Sequence, residues 1–252
     1  MNTLKVSIIT VVWNNESTIK DAIDSVLKQD YKNIEYIIID GASSDNTVDI
    51  IKSYGDKISH FISEPDKGLY DAMNKGIELA SGDIIGILNS DDFYIDETII
   101  STVVKTFNEN DIGATFADLV YVKPEDIHTI VRKYSSKDFT PHKFAYGWMP
   151  AHPTFFLDKK YYDMYGTYKT DYKIAADYEL LIRMLYLNKI PYNYIPKTLI
   201  TMRLGGVSTN SLKSTIILNQ EILRACGENG IKTNMFKIYS KYPKKILELI
   251  KR

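Results

Sequence analysis

The first 92 residues alternate between short apolar runs and segments whose apolar residues recur at helical spacing. Three apolar runs predict buried strands at residues 6–12, 34–39 and 84–88, the last of them buried on both faces, and a further strand is predicted at 58–62. The amphipathic segments between them predict helices, and Gly82 follows the third where a left-handed C-cap residue is expected. Because strand and helix alternate with short connections, we expect an α/β fold with a mostly parallel sheet.

The pattern loosens after residue 92. Apolar spacing predicts a helix at residues 99–107, a hairpin of strands at 114–122 and 127–133, a helix at 175–187 and a last strand at 198–204. Residues 135–153 are aromatic and irregular, which is typical of a lid or an acceptor-side loop. The flat ring of Trp148 suits a sugar, but the 19 tyrosines of the chain make aromatic abundance a compositional alternative.

Polar side chains follow each predicted strand of the first half. Asn14, Asp40, Asp66 and the pair Asp91 and Asp92 should converge, since ligands of open α/β sheets bind at the carboxyl ends of the strands. Two adjacent carboxylates need a positive partner, and a hard divalent cation that carries a phosphate would compensate them. The alternative is that Ser90 or Asp92 only caps the following helix. The chain has neither a G-x-G-x-x-G turn after its first strand nor a P-loop, so phosphate must be held by other means.

The composition is that of an ordinary globular protein, with 44% hydrophobic and 25% charged residues. A net charge of −1 gives no indication of nucleic-acid binding. The single cysteine, Cys226, excludes an internal disulfide and suits a reducing compartment. The first residues lack the apolar region of a signal peptide, so we expect a cytoplasmic protein.

Several side chains outside the strand ends are further candidates for binding or catalysis. Asp71 and Asn74 lie one turn apart near a helix start and could reach a ligand, with helix capping and packing as the alternative. Asp177 lies in the first turn of its helix, where the helix dipole alone would favour a carboxylate. For His152 and Arg203, a structural hydrogen bond is the alternative to ligand binding.

Four blocks of sequence carry a resemblance to a known family. They are residues 6–10 with Asn14, 37–45, 64–76 and 88–92, followed by weaker matches at 152–156, 176–181 and 203–208. With these blocks in this order and spacing, the chain resembles the inverting family 2 glycosyltransferases. Within that family it is similar to the branch that builds O-antigen, capsule and other surface polysaccharides.

The resemblance implies a Rossmann-like GT-A fold. Residues 1–92 would form the nucleotide-binding half, residues 93–208 the acceptor-binding half, and residues 209–252 a C-terminal helical extension. The implied activity is inverting transfer of a hexose from a nucleoside-diphosphate sugar, usually UDP-linked in the family, to a hydroxyl of a glycan or a lipid-linked saccharide.

The family's site residues carry over to positions of this chain. Donor binding is assigned to Thr10, Trp13, Asn14 and Asp40, with Asp71, Asn74 and Asp91 as further candidates. Asp92, assisted by Asp91, would bind Mn²⁺ or Mg²⁺ on the donor diphosphate, and Asp177 falls where the family's general base stands. The acceptor side is assigned to Trp148, His152 and Arg203.

The chain departs from the family at two positions. Gly41 stands where many members carry a second acid that reads the base, and Ala176 replaces the acid that precedes the proposed base Asp177. Two other functions remain as alternatives. A sugar-nucleotide nucleotidyltransferase would need a basic glycine-rich loop after the first strand, which residues 13–16 do not offer; a non-catalytic nucleotide-sugar-binding subunit would not need Asp92 and Asp177.

The end of the chain is basic and amphipathic. From Ile231 onward seven basic residues face one acid, which makes this segment +6 and leaves −7 for the rest of the chain. Such a tail, broken near Pro243, could rest on an anionic membrane at the inner face of the plasma membrane. The alternative is a helix that packs on the body or mediates oligomers.

Overall fold

The computed structural model describes residues 3–205 and 212–242. The first half alternates as predicted: β1 (Val6–Val12), α1 (Ile19–Leu27), β2 (Ile34–Asp40), α2 (Thr47–Lys52), β3 (His60–Ser63), α3 (Leu69–Leu79) and β4 (Ile84–Ile87). The second half contains β5 (Phe93–Tyr94), α4 (Ile99–Glu109), β6 (Ala114–Lys123), β7 (Asp126–Tyr134), β8 (Phe156–Asp158), α5 (Lys159–Tyr165), α6 (Ala176–Leu181) and β9 (Tyr192–Arg203). Two helices follow, α7 (Leu212–Glu228) and α8 (Met235–Tyr239).

The strands form one sheet in the order β3-β2-β1-β4-β8-β6-β9-β5, with β7 paired to β6. The strands β1 to β4 are parallel, whereas β8 runs antiparallel to both β4 and β6. The α/β fold with a parallel first half and C-terminal helices is therefore confirmed. The antiparallel β8 is important for the site, because it brings residues just before Phe156 to the carboxyl end of β4.

Each face of the sheet buries its own apolar cluster. Alternate residues of β2 face opposite sides: Ile37 and Ile39 pack with α3 and α6, whereas Ile38 packs with α1 and α4. Cys226 of α7 lies in the same cluster as Ile37, so the described part of the C-terminal extension packs on the body. Residues 243–252 of the predicted basic tail lie outside the described residues.

The prediction that Gly82 is a left-handed C-cap residue is wrong. This residue does not adopt a left-handed conformation. A Cβ on Gly82 would lie 2.7 Å from the backbone nitrogen of Ser7 and 2.9 Å from the carbonyl oxygen of Lys5. The glycine is required by close approach of the backbone to the start of β1, a contact between distant segments that no local signal announces.

Two segments of the second half are more ordered than their sequence indicated. The aromatic segment 135–153 contains short 3₁₀ turns at Pro141–Tyr146 and His152–Thr154, and Phe144 is fully buried. The helix predicted at 175–187 begins as α6 and continues as one stretch of π-helix, Ile182–Leu187. Much of the predicted loop is thus part of the core rather than a free lid.

Candidate active site

The carboxyl ends of β1, β2 and β4 lie side by side at one edge of the sheet, called here the carboxyl edge. Val12 pairs with Asp40 between β1 and β2, and Ile9 pairs with Ile87 between β1 and β4. The loops that follow these three strands therefore meet at the carboxyl edge, where an open α/β sheet binds its ligands.

The loop after β1 exposes Trp13 and fixes Asn14. Trp13 is 68% exposed. Asn14 adopts a left-handed conformation with φ of 48°, which asparagine tolerates better than most residues. Its side-chain oxygen accepts a hydrogen bond from the Ser44 N–H at 2.7 Å, and its own N–H donates to Ser43 Oγ at 2.7 Å. Asn14 thus joins the loops after β1 and β2, and Trp13 is left facing solvent beside them.

Thr10 and Asp40 lie beneath the carboxyl edge. Both are fully buried. The Thr10 hydroxyl lies 3.1 Å from the Tyr36 hydroxyl. Asp40 accepts hydrogen bonds from the Ser43 N–H at 3.0 Å, from Ser43 Oγ at 2.5 Å and from Ser63 Oγ at 2.6 Å. Both side chains are engaged by the protein, and their assignment to donor binding stays a prediction.

The acid pair after β4 is incompletely bonded, and its two members differ in exposure, since Asp91 is only partly buried. Asp92 is 0% exposed, and its Oδ2 accepts a hydrogen bond from Asn89 Nδ2 at 3.1 Å. The other oxygen of each side chain, Asp92 Oδ1 and Asn89 Oδ1, is buried without a hydrogen-bond partner. Burial raises the pKa of Asp91, and burial together with the neighbouring charge of Asp91 raises the pKa of Asp92 well above its ordinary value.

These groups fit a divalent cation. Buried oxygens without partners are costly unless something completes them, and carboxylate and amide oxygens are the ligands that Mg²⁺ and Mn²⁺ accept. Within residues 3–205 and 212–242, however, no three His, Cys, Asp or Glu side chains are grouped as a metal site. A cation here would depend on few protein ligands and on the phosphates that it carries.

Arg203 connects the end of β9 to the acid pair. It is only 6% exposed, forms an ion pair with Asp21 and donates a hydrogen bond to the carbonyl oxygen of Asp91 at 2.6 Å. Its positive charge lowers the pKa of Asp91, against the larger effect of burial. The structure thus places Arg203 at the acid pair, where it holds the backbone of the 89–92 loop.

Asp177 lies in the first turn of α6, partly exposed and close to His152. Its carboxylate accepts a hydrogen bond from the N–H of Tyr178 at 2.8 Å. Burial raises the pKa of Asp177, and the nearby His152 opposes that rise. Burial lowers the pKa of His152, whose Nε2 lies 2.7 Å from the Tyr168 hydroxyl. Burial thus shifts the pKa of both groups toward the uncharged form, and each group opposes the shift of the other.

The pairing of β8 brings this second group of residues toward the carboxyl edge. Phe156 pairs with Gly86 near the end of β4, and β8 runs antiparallel to β4. Residues before Phe156 therefore lie beyond the carboxyl end of β4. Because His152 belongs to this segment and interacts with Asp177, the start of α6 faces the same edge as the 89–92 loop.

Three other predicted residues are held in local contacts. Asp71 accepts a hydrogen bond from the N–H of Lys67 at 3.0 Å, which closes the start of α3. Asn74 binds the backbone of Tyr168, donating to its carbonyl oxygen at 2.8 Å and accepting from its N–H at 2.9 Å. Trp148 is half-buried, with its ring 5.7 Å from that of Tyr134. These contacts agree with the packing alternatives, and ligand binding by these residues stays a prediction.

Two tyrosines beside Asp177 were not identified from the sequence. The rings of Tyr70 and Tyr168 stack with centroids 5.7 Å apart. The Tyr70 hydroxyl donates to the carbonyl oxygen of Ile174 at 2.5 Å and also interacts with Asp177. Tyr70 belongs to the block at residues 64–76, which is the one sequence signal that could have indicated it; Tyr168 carries no such signal.

Comparisons with known proteins give a consistent result. A family model described as glycosyl transferase family 2 matches residues 7–163, a range that ends before Asp177. An uncharacterized glycosyltransferase of Rickettsia typhi is 30% identical over 217 residues, covering 82% of this chain and 66% of that protein. An uncharacterized glycosyltransferase of Mycobacterium tuberculosis is 31% identical over 180 residues, covering 71% of this chain and 68% of that protein. The chain thus spans about two thirds of the length of these relatives.

Solved structures share the fold at low sequence identity. Staphylococcus aureus TarS 1-349 in complex with UDP-GlcNAc superposes with a TM-score of 0.69 at 16% identity, covering 91% of this chain and 68% of that one. The mannosyltransferase PcManGT of Pyrobaculum calidifontis, in complex with GDP-Man and Mn²⁺, gives a TM-score of 0.65 at 18% identity, covering 89% and 64%. The predicted GT-A fold is confirmed by this likeness.

Proposed function

The chain belongs to glycosyltransferase family 2, and from that membership we propose that it transfers a sugar from a nucleoside-diphosphate sugar to an alcohol, with inversion at the anomeric carbon. The observation that carries the proposal is the incompletely bonded acid pair, Asp91 and Asp92, at the carboxyl edge. A separate carboxylate, Asp177, lies near His152 and forms no ion pair with any of the described residues. A solved relative in fold is bound to UDP-GlcNAc and another to GDP-Man, which supports a nucleotide-sugar donor.

The acid pair is proposed to hold the donor diphosphate through Mn²⁺ or Mg²⁺. Asp92 Oδ1, Asn89 Oδ1 and the carboxylate of Asp91 are the oxygens that would bind the ion, and PcManGT carries Mn²⁺ in its structure. When bound, such an ion neutralises charge that develops on the leaving diphosphate. Arg203 keeps the 89–92 loop in place through its bond to the carbonyl oxygen of Asp91.

Asp177 is proposed to remove the proton from the attacking hydroxyl. A carboxylate with a raised pKa is a better proton acceptor than an ordinary one, provided that it is still ionised at the working pH. His152 is buried, and burial lowers its pKa, so its neutral form is favoured and it is suited to orient the acceptor through a hydrogen bond. A single in-line displacement needs no covalent nucleophile, and it inverts the anomeric centre.

The two halves of the chain would divide this work. Residues 1–92 would bind the donor and residues 93–208 the acceptor, with Trp148, His152 and Arg203 on the acceptor side. For the acceptor we propose a glycan or lipid-linked saccharide of surface polysaccharide synthesis, in line with the sequence blocks that resemble that branch. No helix among the described residues is long and apolar enough to cross a bilayer. Contact with an anionic membrane through the basic tail is part of the proposal.

A panel of nucleotide sugars tests the proposed function. Thermal unfolding of the full chain is measured with UDP-, GDP- and dTDP-sugars, each with Mn²⁺ and with EDTA. We expect at least one sugar nucleotide to raise the unfolding temperature by several degrees with Mn²⁺, since a ligand at about 100 times its Kd adds about 2.7 kcal/mol. Slow release of nucleoside diphosphate from that donor would then show transfer to water. Absence of any shift across the panel would contradict the proposal.

A further inference from the structure

Gly41 leaves a gap beside β2 that a distant carboxylate fills. A Cβ on Gly41 would lie 2.5 Å from Asp66 Oδ2 and 3.5 Å from Cδ1 of Trp13. The first distance is too short for any real side chain, so Asp66 occupies the space that a residue at position 41 would take. Gly41 itself is not in a left-handed conformation, so its backbone would accept a side chain once Asp66 were shortened.

The orientation of the Asp66 carboxylate is fixed from one side. Its Oδ1 accepts a hydrogen bond from the N–H of Gly68 at 2.7 Å. This bond holds the other oxygen, Oδ2, over Gly41, and no hydrogen bond from the described residues reaches Oδ2. Asp66 is half-buried and lies next to the exposed indole of Trp13. Its Oδ2 can therefore accept a hydrogen bond from a bound ligand.

Asp40, the neighbouring acid, is not free to serve in the same way. It is fully buried, and its oxygens accept three hydrogen bonds from Ser43 and Ser63. Trp13, Gly41 and Asp66 form a corner of the carboxyl edge, and within it Asp66 is the acid with an oxygen open to a ligand. The corner combines the aromatic face of Trp13 with the hydrogen-bond acceptor of Asp66. A nucleobase can stack on the first and donate a hydrogen bond from its edge to the second.

We propose that Asp66 takes the place of the acid missing at position 41 and reads the nucleobase of the donor, with Trp13 packing on the base. This inference rests on the proposed function. Because a carboxylate only accepts hydrogen bonds, it favours a base whose ring carries an N–H beside a carbonyl, as in uracil N3 and guanine N1. Cytosine and adenine present a ring nitrogen without a proton at that position, and two acceptors repel each other.

The substitution Asp66→Asn tests this assignment, because it replaces a hydrogen-bond acceptor over Gly41 by a donor. The amide oxygen can still accept the Gly68 N–H, which turns the amide N–H₂ toward Gly41 and replaces the acceptor by a donor. We expect UDP or GDP to lose about ten- to a hundred-fold in affinity relative to CDP and ADP, the range for loss of one charge-assisted hydrogen bond. The comparison of UDP with GDP then tells which base with a ring N–H is preferred.

A second variant moves the carboxylate back. In Gly41→Asp/Asp66→Ala the obstruction is gone and an acid returns to position 41, so we expect the wild-type order of nucleotides to be restored, whereas Asp66→Ala alone loses it. Glu64→Gln is the matched control, since it removes one charge from the same loop without approaching Gly41. It should change the affinity for all nucleotides by the same factor.

Dissociation constants for UDP, GDP, CDP and ADP, each with Mn²⁺, are measured by calorimetry and by quenching of tryptophan fluorescence. A shifted ratio between bases in Asp66→Asn, with an unshifted ratio in Glu64→Gln, supports the assignment. If the wild type binds nucleotides and the ratio stays within two-fold in Asp66→Asn, the assignment is overturned and the proposed function stands. If the wild type binds none of the four and no dTDP-sugar either, both the assignment and the proposed function are overturned.

Discussion

The most direct perturbation of the proposed chemistry is Asp177→Asn. The side chain keeps its size, and its amide oxygen can still accept the hydrogen bond that the Tyr178 N–H gives at 2.8 Å. The variant loses only the negative charge and the ability to take a proton. Donor binding should therefore persist, because the donor is proposed to bind at the acid pair and not at α6.

The structure sets different magnitudes for stability and for catalysis. A carboxylate in the first turn of a helix contributes about 0.3–1 kcal/mol, and relief of a buried charge offsets this, so the free energy of unfolding should change by less than about 1 kcal/mol. Loss of a general base costs a factor of about 10² to 10⁴, which is about 2.7–5.4 kcal/mol in the activation barrier. The effect on turnover should thus exceed the effect on stability several-fold.

The wild-type rate should also depend on pH in a defined direction. Burial raises the pKa of Asp177 above its ordinary value of 3.8. The base works only when ionised, so turnover should fall as pH decreases through that raised pKa, at a pH where an exposed aspartate would still be charged. Residual turnover in Asp177→Asn should lose this acidic limb.

The assay measures nucleoside diphosphate released from the preferred donor with water as the acceptor, beside the donor Kd from calorimetry. Asp163→Asn is a suitable control, since the Asp163 side chain is 62% exposed and, among the described residues, its one ion pair is with Lys159 on the surface of α5. It should leave both quantities unchanged. Turnover within three-fold of wild type in Asp177→Asn, with a normal pH profile, would refute the assignment of Asp177 as the base.

Three further predictions concern the elements that hold the site. In Asp92→Asn we expect Mn²⁺ to lose its stabilising effect in thermal unfolding with the donor, a loss of about 2.7 kcal/mol at 100 times the Kd; an unchanged shift would exclude Asp92 from the ion site. Gly86→Ala would place a Cβ 2.4 Å from Phe156 Cε1, and we expect about 1–3 kcal/mol of destabilisation in urea unfolding, partly reversed by adding Phe156→Leu. Additive losses in that double variant would argue against the contact. Arg203→Met removes the bond to the Asp91 carbonyl, and we expect about 1–3 kcal/mol of destabilisation together with a weaker response to Mn²⁺, whereas full retention of that response would contradict a positioning role.

The first half of the fold could be predicted from the sequence because its signals are local. The strands β1, β2 and β4 are rich in apolar residues, and the helices between the strands carry an apolar stripe, so order and direction follow from the alternation of the two patterns. The hairpin of β6 and β7 was predicted for the same reason. The acid pair could be located because Asp91 and Asp92 follow directly from the end of such a run.

The remainder depends on contacts between segments far apart in the chain. Gly82 is required because the backbone of Lys5 and Ser7 leaves no room for a side chain there. Phe144 is held in the core by contact with Tyr178, 34 residues away in the chain. Similarly, the resemblance assigns Thr10 to donor binding, but no local pattern shows that its hydroxyl lies 3.1 Å from that of Tyr36 inside the sheet. Periodicity describes one segment at a time, so it cannot show which surface another segment will cover.

The charges at the carboxyl edge explain why a divalent cation is expected beside Asp91 and Asp92 even though Arg203 is already there. Asp91 and Asp92 are adjacent in the chain; Asp92 is fully buried and Asp91 is partly buried. Among the described residues, Arg203 lies beside them, although it also forms an ion pair with Asp21. One shared guanidinium cannot neutralise three carboxylates, so the free protein must keep a proton on the acid pair or accept a cation there. Protonation would remove only one charge, whereas a divalent cation would neutralise both charges and could bind the oxygens of Asn89 and Asp92 that have no hydrogen-bond partner. If the proposed function holds, a divalent ion and its phosphates should therefore stabilise this edge, which is the physical basis for expecting donor and metal to bind together.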